Sequence, residues 1–164
     1  MEGTKKENRS HPIPKNQQMN WTPSNQLLAT YLFLEGKSYN KITGVLNALT
    51  KRELRKRGVK LNEIRTMEGR AIERKVCRLF KGFVNIKDKR LICLPSFDSL
   101  PNRTGRPLHK NERRCFGIAI KWKRSLNIIS RLTGRSIEEV RKERRKIIKE
   151  SSKNNKKSLF DNLG

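Results

Sequence analysis

Apolar residues come in helix-spaced clusters, separated by glycine, proline and charge. In "WTPSNQLLATYLFLEG" the apolar positions Leu28, Tyr31, Leu32 and Leu34 follow Thr22, a capping residue, and Pro23, which suits a first helical position. Gly36 is the expected stop. In "KSYNKITGVLNALTKRELRKRG" Ser38 caps a second helix with Ile42, Val45, Leu46 and Leu49 on one side, and "TKRELRKRG" either prolongs it or forms a basic loop before Gly58. "RTMEGRAIERKVCRLFKGF" predicts a third helix capped by Thr66, with Ile72, Val76, Leu79 and Phe80 facing a core and Gly82 ending it.

The texture changes between residues 85 and 108. "RLICL" reads as a short strand or a packed extended piece, and Pro95, Pro101 and Pro107 mark a linker. Helical spacing then resumes. Phe116, Ala119, Ile120 and Trp122 define one helix, and Leu126, Ile128, Ile129 and Leu132 a second, short one. "TGR" turns the chain. A third helix starts at Ser136, whose spacing to Glu139 is that of a capping box. Ile137, Val140 and Ile147 face its core, with Arg144 snorkelling on the same side.

The pattern therefore predicts an all-α protein of two small three-helix domains with disordered basic termini. Residues 1–20 form a polar arm, 21–84 the first domain, 85–108 a basic linker, 109–150 the second domain and 151–164 a polar tail. "GRAIE" at 69–73 and "GRSIE" at 134–138 echo each other locally.

Charge sharpens the functional expectation. Forty Lys and Arg against 15 Asp and Glu leave a formal net charge of +25 on 164 residues. Such an excess repels itself unless a polyanion neutralises it, so nucleic acid is the expected partner, ahead of an anionic membrane surface. The cysteines, Cys77, Cys93 and Cys115, form no CxxC pair and have only two histidines beside them, which argues against a zinc site and for reduced thiols. His11 and His109 have no evident partner. The first twenty residues lack an apolar signal core, and no stretch is long and apolar enough to span a bilayer. Phosphate-binding glycine loops and a helical metal pair are absent, and Asp88, Asp98 and Asp161 lie outside the predicted helical cores. No enzyme, metal or cofactor is expected.

Several runs carry a family likeness. They are "WTP" at 21–23, "EGKSYNKI" at 35–42, "RT" at 65–66 and "AIERKVCRL" at 71–79. In the second half they are Trp122, "IISRLTGRS" at 128–136 and "IEEVRKERRK" at 137–146. Together they resemble the Myb/SANT-type three-helix domains of the helix-turn-helix group, although only Trp21 and Trp122 stand for that family's spaced tryptophans. The resemblance implies that the third helix of each half enters the major groove of duplex DNA. The implied contacts are Arg70, Arg74, Arg78 and Lys81 in the first half, and Arg135, Arg141, Lys142, Arg145 and Lys149 in the second. The loop residues Lys51, Arg52, Arg55, Lys56 and Arg57 suit backbone phosphates.

"NRTGRPLHK" partly resembles an AT-hook through Gly105, Arg106 and Pro107, with Thr104 displacing the preceding arginine to Arg103. Arg103 and Arg106 are thus expected on the backbone or in the minor groove, within a flexible linker. Trp21 and Trp122 are expected in the core, with base stacking as the alternative. The resulting expectation is double-stranded DNA binding in transcriptional regulation or chromosome organisation, in a nucleus, or in a nucleoid or cytoplasm if the source has no nucleus. RNA or ribosome binding, or a SANT-like protein adaptor, are the alternatives.

Overall fold

Thr22 accepts the Asn25 N–H through Oγ1 at 3.2 Å, and Pro23 opens helix α1, Pro23–Leu34, as its spacing predicts. The computed structural model describes residues 22–58, 60, 68–82 and 95–161, with side chains as far as Lys153. Five more helices follow: α2 Tyr39–Lys56, α3 Gly69–Lys81, α4 Lys110–Lys121, α5 Leu126–Thr133 and α6 Ile137–Asp161. No strand occurs among the described residues, so the fold is all-α. No helix there is long and apolar enough to cross a membrane.

Local signals place most helix ends. Ser38 caps α2 by accepting the Lys41 N–H at 3.3 Å, and Ser125 caps α5 by accepting from Ile128 at 3.3 Å. Gly36, Gly82 and Gly134 take positive φ just past α1, α3 and α5. The run after Leu49 prolongs α2 to Lys56 instead of forming a loop. α3 has Glu68 at its N-cap with no side-chain bond, while Thr66, the expected cap, lies outside the described residues. So do Trp21, "RLICL" and the N-terminal arm.

Two expectations change. First, the helices share one hydrophobic core. Ala29, Phe33 and Leu34 of α1 and Ile72, Val76 and Phe80 of α3 join Cys115, Phe116 and Ala119 of α4, Ile129 and Leu132 of α5 and Val140 of α6. α1 and α3 each pack on both α4 and α5, fusing the halves that were expected as separate domains. The described part of the expected linker belongs to this core through buried Phe97 and Leu100. Its backbone is pinned too: Leu100 N–H donates to Arg131 O at 3.0 Å, and Arg103 N–H to Gly134 O at 2.7 Å. Prolines remove donors without preventing packing, and three short helices alone bury little apolar surface. Gly134 allows the approach, because a Cβ there would collide with the Pro101 carbonyl.

Second, the polar tail from Ser151 continues α6 to Asp161. No glycine or proline interrupts it. Ser151 and Ser152 hydroxyls donate back to Ile147 O and Ile148 O at 2.9 and 3.0 Å. At a rise of 1.5 Å per residue, this 25-residue helix is about 37 Å long.

Candidate nucleic-acid interface

α3 divides its faces sharply. At about 100° per residue, Ile72, Val76, Leu79 and Phe80 gather on one side and are buried. Arg70, Arg74, Arg78 and Lys81 fall on the opposite side. Arg70, Arg74 and Arg78 are exposed and succeed one another every four residues, a rise of about 6 Å per step. Lys81 is half-buried, with its Nζ 4.4 Å from the centre of the Trp122 ring. That cation–π contact partly occupies Lys81. It also corrects the expected core role of Trp122, which is itself half-buried.

α2 adds charge beside α3, on which it packs. Its last buried residue is Leu46, so the final ten residues run past the core. Lys51, Arg52, Arg55, Lys56 and Arg57 are all exposed on that extension and the turn after it. They stand on a helix end, not on the loop expected for them.

On α6, Val140 is buried and Ile147 packs against the core, as the spacing predicts. Arg144 is half-buried along that side, while Arg141, Lys142, Arg145 and Lys149 are exposed. Ile137, expected inside, is 40% exposed. Polar contacts hold this first turn in its place. Ser136 N–H donates to Thr104 Oγ1 at 3.1 Å, and Glu139 N–H to Ser136 Oγ at 3.2 Å. The reciprocal half of the capping box is not made: Glu139 Oε1 accepts the Gly105 N–H at 2.7 Å. α6 packs on α4 and α5 and, among the described residues, makes no substantial contact with α2 or α3.

Three arginines from the expected contact set are engaged elsewhere. Arg103 and Arg135 were expected on nucleic acid, but they are 1% and 5% exposed and grip one carboxylate between them. Arg103 donates to Glu112 Oε1 and Oε2 at 2.8 and 3.1 Å, and Arg135 to the same oxygens at 2.6 and 2.9 Å. Arg103 Nε reaches Glu35 at 2.7 Å, and the Thr133, Arg106 and Pro107 carbonyls accept further donors. Burying a guanidinium demands such complete pairing, so these two arginines are structural and leave the contact set. Arg106 remains exposed, with Nη1 3.0 Å from Tyr31 Oη and 3.4 Å from Glu35. The AT-hook-like segment is therefore a folded turn fastened to α1, α4 and α6, not a free arm.

Sequence reasoning missed Glu112, whose single acidic position amid "KNERR" gives no hint of burial. It also missed His109. That imidazole caps α4 by accepting the Asn111 N–H through Nδ1 at 3.2 Å, and it packs where a Cβ on Gly36 would collide with it. Asn111 Nδ2 in turn donates to Phe33 O at 3.0 Å, completing the α1–α4 joint.

Two carboxylates near these joints are held below their ordinary pKa of 4.5. For Glu73, the 2.6 Å hydrogen bond from Tyr39 and then the Arg114 ion pair outweigh burial. The same bond pushes Tyr39 up to about 12. For Glu35, burial pushes upward, but Arg103 and then Arg106 outweigh it. Groups depressed on folding stabilise the protein above their unfolded pKa and lose that contribution as pH falls through the folded value. Melting temperatures should therefore show these two groups' contribution intact at about pH 6 and lost progressively below about pH 4.5. A Glu35→Gln/Glu73→Gln variant should lose stability at neutral pH and have a shallower acid limb. An identical acid limb in the variant would remove both groups from the account.

Among the described residues no group of three or more His, Cys, Asp or Glu is placed to hold a metal ion. What fold and surface define is an all-helical protein with exposed basic helix faces on α2, α3 and α6. No family model, curated protein or solved structure matches the chain.

Proposed function

We propose that the protein binds double-stranded DNA through the exposed arginine face of α3, assisted by the basic end of α2 and the outer face of α6. The observation that carries this reading is the α3 stripe. Arg70, Arg74 and Arg78 stand opposite a fully buried apolar face, so the helix is rigidly backed by the core while its long donors project outward. A helix presented in this way fits the major groove of B-DNA, which is about 12 Å wide. The net charge of +25 supplies electrostatic capture of the backbone before docking. The Myb/SANT-like helix-turn-helix reading is retained here as a proposal for the α1–α3 group. A role in transcription or chromosome organisation, in a nucleus or nucleoid, follows from it.

Duplex RNA hides its bases in a deep, narrow major groove and offers no such seat for a helix. The test is parallel selection from random duplex DNA and random RNA pools at physiological salt. Enrichment of a duplex motif, or DNA held more tightly than RNA without one, is the expected result. Preferred recovery of RNA would move the protein to the RNA-binding class. Binding of neither, with specific capture of a protein tail, would support the adaptor class.

A further inference from the structure

Two cysteines that DNA binding does not use meet where α3 packs on α4. Cys77 stands four residues after Glu73 on α3, and Cys115 directly follows Arg114 on α4. The Glu73–Arg114 ion pair joins the two helices beside this point. One turn further along α3, the thiols are in hydrogen-bond contact. Both are free, Cys77 half-buried and Cys115 fully buried.

Their surroundings divide their roles. The hydrogen bond from Cys115 lowers the pKa of Cys77; burial opposes this, the Arg114 guanidinium adds to it, and Glu73 works weakly against it. Cys115 is pushed up by the same hydrogen bond and by burial. Cys77, half-buried and beside the Arg114 guanidinium, has the access and the cationic neighbour that favour oxidation, and Cys115 lies fully buried directly behind it.

We propose that Cys77 and Cys115 form a peroxide-sensitive dithiol site, in which Cys77 is oxidised first and Cys115 then closes a disulfide joining α3 to α4. The oxidant is a hydroperoxide such as hydrogen peroxide. The Cys77 thiolate attacks one peroxide oxygen; the S–O bond forms, the O–O bond breaks, and the leaving hydroxide takes up a proton as water. Cys77 is then a sulfenic acid. Cys115 sulfur attacks Cys77 sulfur; the S–S bond forms, the S–O bond breaks, and the departing hydroxide takes the Cys115 proton as a second water. Two thiols lose two electrons and two protons, and one peroxide becomes two waters. A dithiol reductant reverses the bond by exchange. The site stands independently of the DNA-binding reading.

The test uses the full chain carrying Cys93→Ser, so that only these two thiols remain. Limited hydrogen peroxide should give a protein lighter by two hydrogens, its Cys77 and Cys115 peptides linked, restored by dithiothreitol. Adding Cys115→Ala should abolish the link and leave a Cys77 sulfenic acid that dimedone traps. Should that variant fail to fold, peptide mapping of the unaltered protein decides, and the Cys77–Cys115 link must dominate over links to Cys93. Oxidation of the two cysteines to separate sulfinic acids would overturn the proposal. So would a link that forms only after unfolding in urea, or one made chiefly with Cys93.

Discussion

Glu112→Gln should cost the protein on the order of 3–5 kcal/mol of folding stability, the usual loss when one member of a buried ion group is removed. Glu112 is fully buried and receives two donors from each of two guanidiniums. Around it Arg103, Arg106 and Arg135 are balanced by Glu35, Glu112 and Glu139. Glutamine keeps the shape but replaces one acceptor oxygen with an amide donor and removes the charge. Two buried guanidiniums would then face each other across a neutral group.

For a domain whose whole stability is on the order of 5–15 kcal/mol, such a loss is a large fraction. It should appear in urea titration followed by far-UV circular dichroism as a much lower midpoint. The triple variant Arg103→Met/Glu112→Leu/Arg135→Met should recover part of the loss, because it leaves no fully buried charge unpaired, while Glu35 and Glu139 keep partial exposure and the Thr133, Arg106 and Pro107 carbonyls lose donors. A Glu112→Gln midpoint close to that of the unaltered protein would show that the carboxylate is dispensable.

Arg70→Ala/Arg74→Ala/Arg78→Ala should behave in the opposite way, leaving the fold nearly untouched and binding strongly impaired. All three side chains are exposed, so each change should shift stability by no more than about 0.5 kcal/mol. If each arginine neutralises one phosphate, the plot of log affinity against log salt should become shallower by about 2.7, at about 0.9 per contact. Affinity at low salt should fall across all duplex sequences. A loss confined to particular sequences would instead assign the lost arginine to a base edge, about 1–3 kcal/mol per bidentate contact. An unchanged slope and affinity would take α3 out of the interface. Arg141→Ala/Arg145→Ala reads the α6 face separately, since that helix makes no substantial contact with α2 or α3 among the described residues.

The helices themselves were largely legible. Thr22, Ser38 and Ser136 cap where their spacing to the first apolar turn predicts, and Gly36, Gly82 and Gly134 end helices where positive φ is needed. The α3 apolar set is buried residue for residue. These are short-range matters, settled within a turn or two of chain. The exposure of Arg70, Arg74 and Arg78 followed from the same periodicity.

What stayed hidden were partners distant in sequence. Arg103 and Arg135 look like Arg70 and Arg141 on paper, long basic residues in basic, polar surroundings. Whether an arginine projects to solvent or closes on a carboxylate depends on Glu112 and Glu35, brought together by the packing of α1, α4 and the α5–α6 turn. Proline spacing at 95, 101 and 107 correctly marked a stretch without helix, yet only Phe97, Leu100 and Arg103 in place show that this stretch joins the halves. By itself the sequence determined the all-helical class, most helix ends and the basic surplus, because caps, periodicity and charge act locally or by sum. The tertiary structure alone decided that the halves share one core and that Arg103 and Arg135 close on a buried carboxylate, because burial and ion pairing are properties of neighbours that the chain order does not adjoin.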